Sequence, residues 1–201
     1  MKKFKKILFC IVLFPLSLLS QELDLFNQIE TDELTQTKLL PDKMIFTQKF
    51  LWGEKGLARV LKISSLNKEN RQKELKLRRA MLKTHQFIGF LTLGGMIYQG
   101  ILGGKLYNGD YSLYEKHKKI GELSTIGYFT GAGLSLFTPP PLVNKKVKGF
   151  NSIKAHKILA MIHFPAMVST NIYKKKNKKI HKYSAYTAFA SYATAIIVFK
   201  F

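Results

Sequence analysis

Four long apolar segments dominate the second half of the chain, at about 84–104, 117–138, 155–173 and 181–199. Each is close to the ~20 residues that a helix needs to cross a lipid bilayer. Stretches such as "FIGFLTLGGMIYQGILGG" lack the charged face that a helix in water presents to solvent. The pattern therefore predicts four membrane-spanning helices.

Short connections join these segments, so consecutive helices should run antiparallel. The prolines at 139–141 are expected to end the second helix, and Pro165 to kink the third, because proline lacks the backbone N–H that a helix interior uses. The predicted fold class is all-α: an integral membrane up-down four-helix bundle, preceded by a signal peptide and a short extracytoplasmic helical segment.

The first 20 residues are typical of a signal peptide, with "MKKFKK" before an apolar run of about 14 residues. Residues 21–82 are polar and mixed; around Trp52 their spaced apolar side chains fit either a helix on a membrane surface or a small helical cap. We thus predict a signal peptide at 1–20, an extracytoplasmic or interfacial segment at 21–82 and a transmembrane domain at 83–201. The expected location is the inner (cytoplasmic) membrane, with several passes.

The charge balance adds a partner class. The chain has 33 Lys and Arg against 12 Asp and Glu, a formal charge of +21. The lysines flank apolar blocks, and no zinc-finger or RNA-binding spacing is present, so membrane lipid is the expected partner and nucleic acid is not. The only cysteine, Cys10, lies in the predicted signal peptide, which excludes disulfides, iron–sulfur clusters and covalent c-type haem from the mature chain.

Four of the five histidines open the four apolar segments, in the stretches KTHQFIG, EKHKKIG, KAHKILA and KIHKYSA. They are His85, His117, His156 and His181. Each is followed four places later by a small residue, respectively Gly89, Gly121, Ala160 and Ala185. Residues i and i+4 share one face of a helix, so each histidine has space beside it for a flat, bulky group.

Antiparallel topology pairs these histidines by membrane face. His85 and His156 should meet near one surface, and His117 and His181 near the other. Facing imidazoles inside a bundle hold haem iron without a covalent link, so two bis-histidine haem sites are predicted. His163, two turns beyond His156, is an alternative ligand to it. Zinc is less suited to these faces, which lack the Cys, Asp or Glu that would complete a tetrahedral site.

This pattern resembles the cytochrome b561 family. The resemblance covers about 83–201 and is carried by the four histidines and the small residues beyond them. It implies a four-helix membrane core, two b-type haems near opposite membrane faces and transmembrane electron transfer. The family's ascorbate-binding signature is not found in this sequence, so an ascorbate substrate is not implied.

The expected function is electron transfer by a b-type di-haem cytochrome, with a quinol, a periplasmic redox protein or a ferric compound as redox partner. Whether the chain is an enzyme, such as an oxidoreductase, stays open, as does a homodimer. Two alternatives remain. One is a cofactor-free scaffold or assembly subunit whose histidines merely lie at the membrane interface. The other is a small proton-coupled transporter that uses His163 and Glu122.

Overall fold

In the computed structural model, which describes residues 38–142 and 151–200, every regular element is helical. No strand occurs in these two stretches, so the predicted all-α class is confirmed. The predicted signal peptide, residues 1–20, lies outside the described residues. The chain forms two compact units, which divide within one long helix, after Leu75.

The first unit comprises residues 38–75 together with 139–142. It contains helices α1 (Phe46–Trp52) and α2 (Leu57–Val60) and the first residues of α3, which begins at Lys68. Among its described residues, the buried apolar side chains include Leu40, Ala58, Leu75 and Leu142.

The first unit also contains a buried cluster of charged side chains. The Glu74 carboxylate accepts hydrogen bonds from Arg59, Arg71 and, at 2.6 Å, from the Ser64 hydroxyl. The fully buried Arg71 also donates to the carbonyl oxygens of Leu39 at 2.8 Å and Pro140 at 3.1 Å. Arg71 thus ties the chain before α1 to the proline segment that follows the second unit's second helix.

The second unit comprises residues 76–138 and 151–200. It is built from four long helices: the remainder of α3 (Lys68–Tyr107), then α4 (Tyr114–Leu136), α5 (Ser152–Tyr173) and α6 (Lys178–Lys200). The turn after α3 uses Gly109 at φ 101°, a left-handed conformation that glycine adopts readily. Side-chain caps start the last two helices: Asn151 accepts from the Lys154 N–H, and Asn177 from the N–H groups of Lys179 and Ile180.

Contacts between these helices show that sequence neighbours run antiparallel. His85, in α3, bonds to Gly131 near the end of α4. Further along α3, Gln99 bonds to His117 at the start of α4. Helices α5 and α6 also run antiparallel, because His181, near the start of α6, bonds to the carbonyl of Thr170, near the end of α5.

One detail differs from the sequence-based expectation. The histidines do not all lie at the start of a helix: α3 begins at Lys68, so His85 lies in its interior, because the charged stretch before it contains no helix-breaking residue. Pro165 lies inside α5, which is one helix from Ser152 to Tyr173. Within the described ranges, one helix, α3, is both long and apolar enough to cross a membrane by length and composition.

Candidate functional site

The four histidines at the starts of the predicted apolar segments form two pairs in the second unit. The rings of His85 and His156 have centroids 6.4 Å apart and planes at 88°. Those of His117 and His181 have centroids 6.3 Å apart and planes at 83°. These are the two pairs that antiparallel helix directions predict.

The first pair is held by backbone carbonyls of adjacent helices. The His85 Nδ1–H donates to the Gly131 oxygen at 2.8 Å, and the His156 Nδ1–H donates to the Ala195 oxygen at 3.2 Å. Both rings are thereby fixed in the tautomer whose Nε2 is unprotonated. This is the arrangement that metal-binding histidines use, in which one nitrogen donates to a carbonyl and the other binds the metal.

The second pair is held unequally. The His181 Nδ1–H donates to the Thr170 oxygen at 2.9 Å, which again leaves Nε2 free. His117 instead accepts at Nε2 a bond from the Gln99 side-chain amide, at 3.3 Å. Its Nδ1 is buried and has no hydrogen-bond partner among the described residues. Gln99 thus occupies the nitrogen that would bind a metal.

Two glycines lie next to these rings. A Cβ at Gly131 would lie 3.7 Å from the His85 Nδ1, and one at Gly103 would lie 3.1 Å from the His117 Cε1. These two glycines were not predicted as site residues, since each lies on the helix opposite its histidine. The sequence identifies them as neighbours of the histidines only if the axial register between α3 and α4 is known.

The four small residues predicted to flank the histidines have other neighbours. A Cβ at Gly121 would lie 2.6 Å from the Gln99 amide nitrogen, so Gln99 reaches His117 because residue 121 has no side chain. Gly89 is buried, and its carbonyl accepts a bond from the Tyr192 hydroxyl at 3.2 Å. Ala160 and Ala185 are half-buried on α5 and α6.

His163, the alternative to His156, is in a different environment. It is buried, and its Nδ1 shares a hydrogen bond with the Tyr128 hydroxyl at 2.5 Å. Its ring packs edge-on against Tyr192, with centroids 5.2 Å apart. The histidine facing His85 across the bundle is therefore His156, while His163 belongs to a buried aromatic cluster.

No family model, curated protein or solved structure matches the chain. The resemblance to the cytochrome b561 family accordingly rests on the histidine pattern and its geometry.

Proposed function

We propose that this chain is an integral membrane di-haem cytochrome, similar to the cytochrome b561 family, that transfers electrons between the two faces of a membrane. The observation that carries the proposal is the presence of two separate histidine pairs, one toward each end of the four-helix unit. On α3, His85 belongs to the first pair, and Gln99 contacts His117 of the second pair. These two residues are 14 positions apart, or about 21 Å at 1.5 Å per residue. In a ~30 Å hydrocarbon layer, pairs separated by this distance would lie near opposite surfaces.

The spacing within each pair fits one metal ion between two imidazoles. Two rings that bind one ion from opposite sides, with metal–nitrogen bonds of about 2 Å, have centroids about 6 Å apart. The observed separations are 6.4 and 6.3 Å. No cluster of three or more His, Cys, Asp or Glu suited to a metal occurs in the described residues, so a tetrahedral zinc site is poorly supported. A haem needs only the two axial ligands from the protein.

The exposed surface of the four helices supports membrane embedding. Large apolar side chains point outward from each of them, including Leu91 at 62% exposure, Ile126 at 63%, Met161 at 69% and Ile197 at 57%. Leaving such a side chain in water rather than burying it costs about 1.5–3 kcal/mol. Lysines flank these segments, as expected for side chains that extend to the head-group region.

In this proposal His85 with His156 would hold one b haem, and His117 with His181 would hold the other. Bound haem supplies one-electron redox chemistry that the amino acids lack. The protein's part is to hold His85, His156 and His181 through their Nδ1–H groups, to exclude water and to surround the sites with positive charge. For His117 to bind through Nε2, Gln99 must first turn away from it.

The first unit suits a position at the membrane surface. Phe46 is 81% exposed, and Val60, Leu61 and Ile63 are exposed as well. An apolar outer surface on two short helices is typical of a segment that lies in the interfacial layer. We place residues 21–82 on the extracytoplasmic side of the inner membrane. Each histidine pair is complete within one chain, so the proposed sites do not require a homodimer.

The redox partner is a quinol, a periplasmic redox protein or a ferric compound. A cofactor-free scaffold is the second candidate, and one observation favours it: each of the four histidine rings already has a hydrogen-bond partner within the protein.

Haem content separates the two candidates. The protein is purified in detergent from haem-sufficient cells, and its reduced-minus-oxidised absorption spectrum is recorded with haem quantified per chain. Low-spin b-type bands at about two haems per chain are expected from two bis-histidine sites. A colourless protein would overturn the proposal and leave the scaffold.

A further inference from the structure

A cavity of about 260 Å³ lies between α4 and α5 of the second unit. It is lined by Glu122, Thr125, Ile126, Asn171 and Lys174. Three of these side chains, Glu122, Ile126 and Lys174, are exposed, so the cavity opens to the surface of the unit. Small-molecule sites begin at about 300 Å³, so this volume suits a head group rather than a larger molecule.

Two opposite charges line the cavity. Glu122 and Lys174 do not form an ion pair with each other in the described part of the chain. Lys118, one turn before Glu122, pairs instead with Glu115 at 3.6 Å. A carboxylate and an ammonium that line one cavity without neutralising each other are complementary to a ligand that carries both charges.

Hydrogen bonds fix the polar groups between these charges. The Thr125 hydroxyl donates to the Asn171 Oδ1 at 3.1 Å, and the Asn171 Nδ2 donates to the Met167 carbonyl at 3.0 Å. These bonds set the orientation of the Asn171 amide. An amide oxygen accepts two hydrogen bonds and an amide nitrogen donates two, so Asn171 retains one acceptor and one donor site for a ligand.

The cavity has a polar side and an apolar side. The bonds of Thr125 and Tyr128 to α5 show that α4 and α5 run antiparallel. Glu122 precedes Thr125 by three residues, and Lys174 follows the bonding partner of Thr125 by three, so both charges lie toward the helix ends. Ile126, which is 63% exposed, lies one turn beyond Glu122. In the proposed membrane the charges would lie at head-group level and Ile126 beside the acyl chains.

We propose that this cavity binds the phosphoethanolamine head group of a phospholipid. The Glu122 carboxylate and the Asn171 Oδ1 accept hydrogen bonds from the primary ammonium, and the Lys174 ammonium binds the phosphate. Ile126 contacts an acyl chain. This inference rests on the membrane embedding in the proposed function but not on haem binding.

The side chains of the cavity discriminate between head groups. Phosphatidylcholine carries the same phosphate, but its quaternary ammonium has no N–H to donate to Glu122 or Asn171. Phosphatidylglycerol has no cation, so the carboxylate repels its negative charge. A site built for hydrogen bonding rejects ligands that leave its polar groups unpaired.

Lipid binding to the intact, detergent-purified chain tests the proposal. Native mass spectrometry measures the affinity for dioleoyl phosphatidylethanolamine, phosphatidylcholine and phosphatidylglycerol, and the ethanolamine lipid should bind most tightly. Glu122→Gln should reduce the preference for ethanolamine over choline roughly 5-fold, which is what a strong exposed ion pair contributes. Lys174→Gln should weaken the binding of both lipids alike, because both carry the phosphate. Equal binding of the ethanolamine and choline lipids to the unmodified chain would overturn the proposal.

Two matched variants and one soluble ligand serve as controls. Glu115→Gln and Lys176→Gln each remove an exposed charge close to the cavity that does not line it, and they should leave the preference unchanged. A loss in the Glu115 variant as large as that in the Glu122 variant would contradict a defined site. Glycerophosphoethanolamine, which has no acyl chains, should bind more weakly than the lipid. Equal affinity would overturn the assignment to a membrane lipid.

Haem quantified on the same samples separates this inference from the proposed electron transfer. A colourless chain that prefers the ethanolamine lipid, and loses that preference in the Glu122 variant, would overturn only the proposed cytochrome. A chain with about two haems, as two bis-histidine sites require, but with no head-group preference would overturn only this inference.

Discussion

The Tyr128 hydroxyl and the His163 Nδ1 share a 2.5 Å hydrogen bond that joins α4 to α5. Both residues are buried, and a buried polar group that loses its partner costs about 1–3 kcal/mol. His163 lies seven residues, or about 10 Å, from His156 along α5. The bond therefore stabilises the middle of the bundle and is separate from the proposed ligands.

Tyr128→Phe should lower the stability of the bundle while leaving haem binding intact. The substitution keeps the ring but leaves the His163 Nδ1 without its hydrogen-bond partner, for a loss of about 1–3 kcal/mol. Thermal unfolding of the detergent-purified protein measures the effect, with haem per chain determined on the same sample. Tyr186→Phe is the control, because Tyr186 is 52% exposed on α6. A Tyr128 variant as stable as the control would show that the bond contributes nothing.

Loss of haem should follow the observed pairing. His85→Ala and His156→Ala should each remove the same one of two haems, since each leaves its site with one axial ligand. His117→Ala and His181→Ala should remove the other. Haem per chain and the reduced-minus-oxidised spectrum of each variant provide the measurement.

His163→Ala serves as the internal comparison for that series. It removes a buried histidine of the same helix as His156 but should retain both haems. If His163→Ala loses a haem and His156→Ala does not, His163 is the ligand and the assignment of His156 is incorrect.

Gln99→Ala should strengthen haem binding at the His117/His181 site. The Gln99 amide holds the His117 Nε2, and a typical hydrogen bond contributes about 0.5–1.5 kcal/mol, so its removal should raise the affinity of that site roughly 2- to 10-fold. Haem titration into the haem-free protein, followed by absorbance, measures both sites. Gln72→Ala, at an exposed position of the first unit, should change neither. If the Gln99 variant bound haem more weakly at the His117/His181 site, Gln99 would instead hold the His117 ring in the orientation that binds haem.

Acid should unfold the first unit through Glu74. Burial opposes ionisation of this carboxyl, but hydrogen bonds from Arg59, Ser64 and Arg71 outweigh it and hold the Glu74 pKa below its ordinary value. In the unfolded chain that value is about 4.3, so the stabilisation is complete above this pH and is lost as the pH falls through the lower folded-state pKa. The fluorescence of Trp52, the only tryptophan, reports the transition.

Two variants check the role of Glu74. Glu74→Gln should destabilise the first unit at neutral pH by about 3–5 kcal/mol, because it leaves buried arginines without their carboxylate. Glu69→Gln removes the exposed partner of Lys73 and should leave the acid transition unchanged. An acid transition that is the same in wild type and the Glu74 variant would exclude this carboxyl as its source.

Much of the architecture could be predicted before any coordinates. The four long helices follow from apolar runs of sufficient length, and the partners of His85 and His117 follow from short connections that force antiparallel directions. The helix boundaries were less accurate. Helix α3 starts at Lys68, well before the apolar segment, because a charged stretch without proline or glycine continues a helix as readily as an apolar one.

Other features of the site could not be predicted. Gln99, Gly103 and Gly131 contact or make room for histidines on a neighbouring helix. Which residues face each other there depends on the axial register and rotation of two helices. Many side chains, packed together, determine that register.

By itself, the sequence determined the helical class, the number of long helices and the pairing of histidines, since each follows from local composition, segment length and chain direction. Only the tertiary structure decided that His156 rather than His163 faces His85, that Tyr128 holds His163, and that Gln99 occupies the His117 Nε2. The physical reason is that hydrogen bonding is specific to atoms a few ångströms apart. Residues far apart in the chain reach such distances only when packing has set the rotation of every helix.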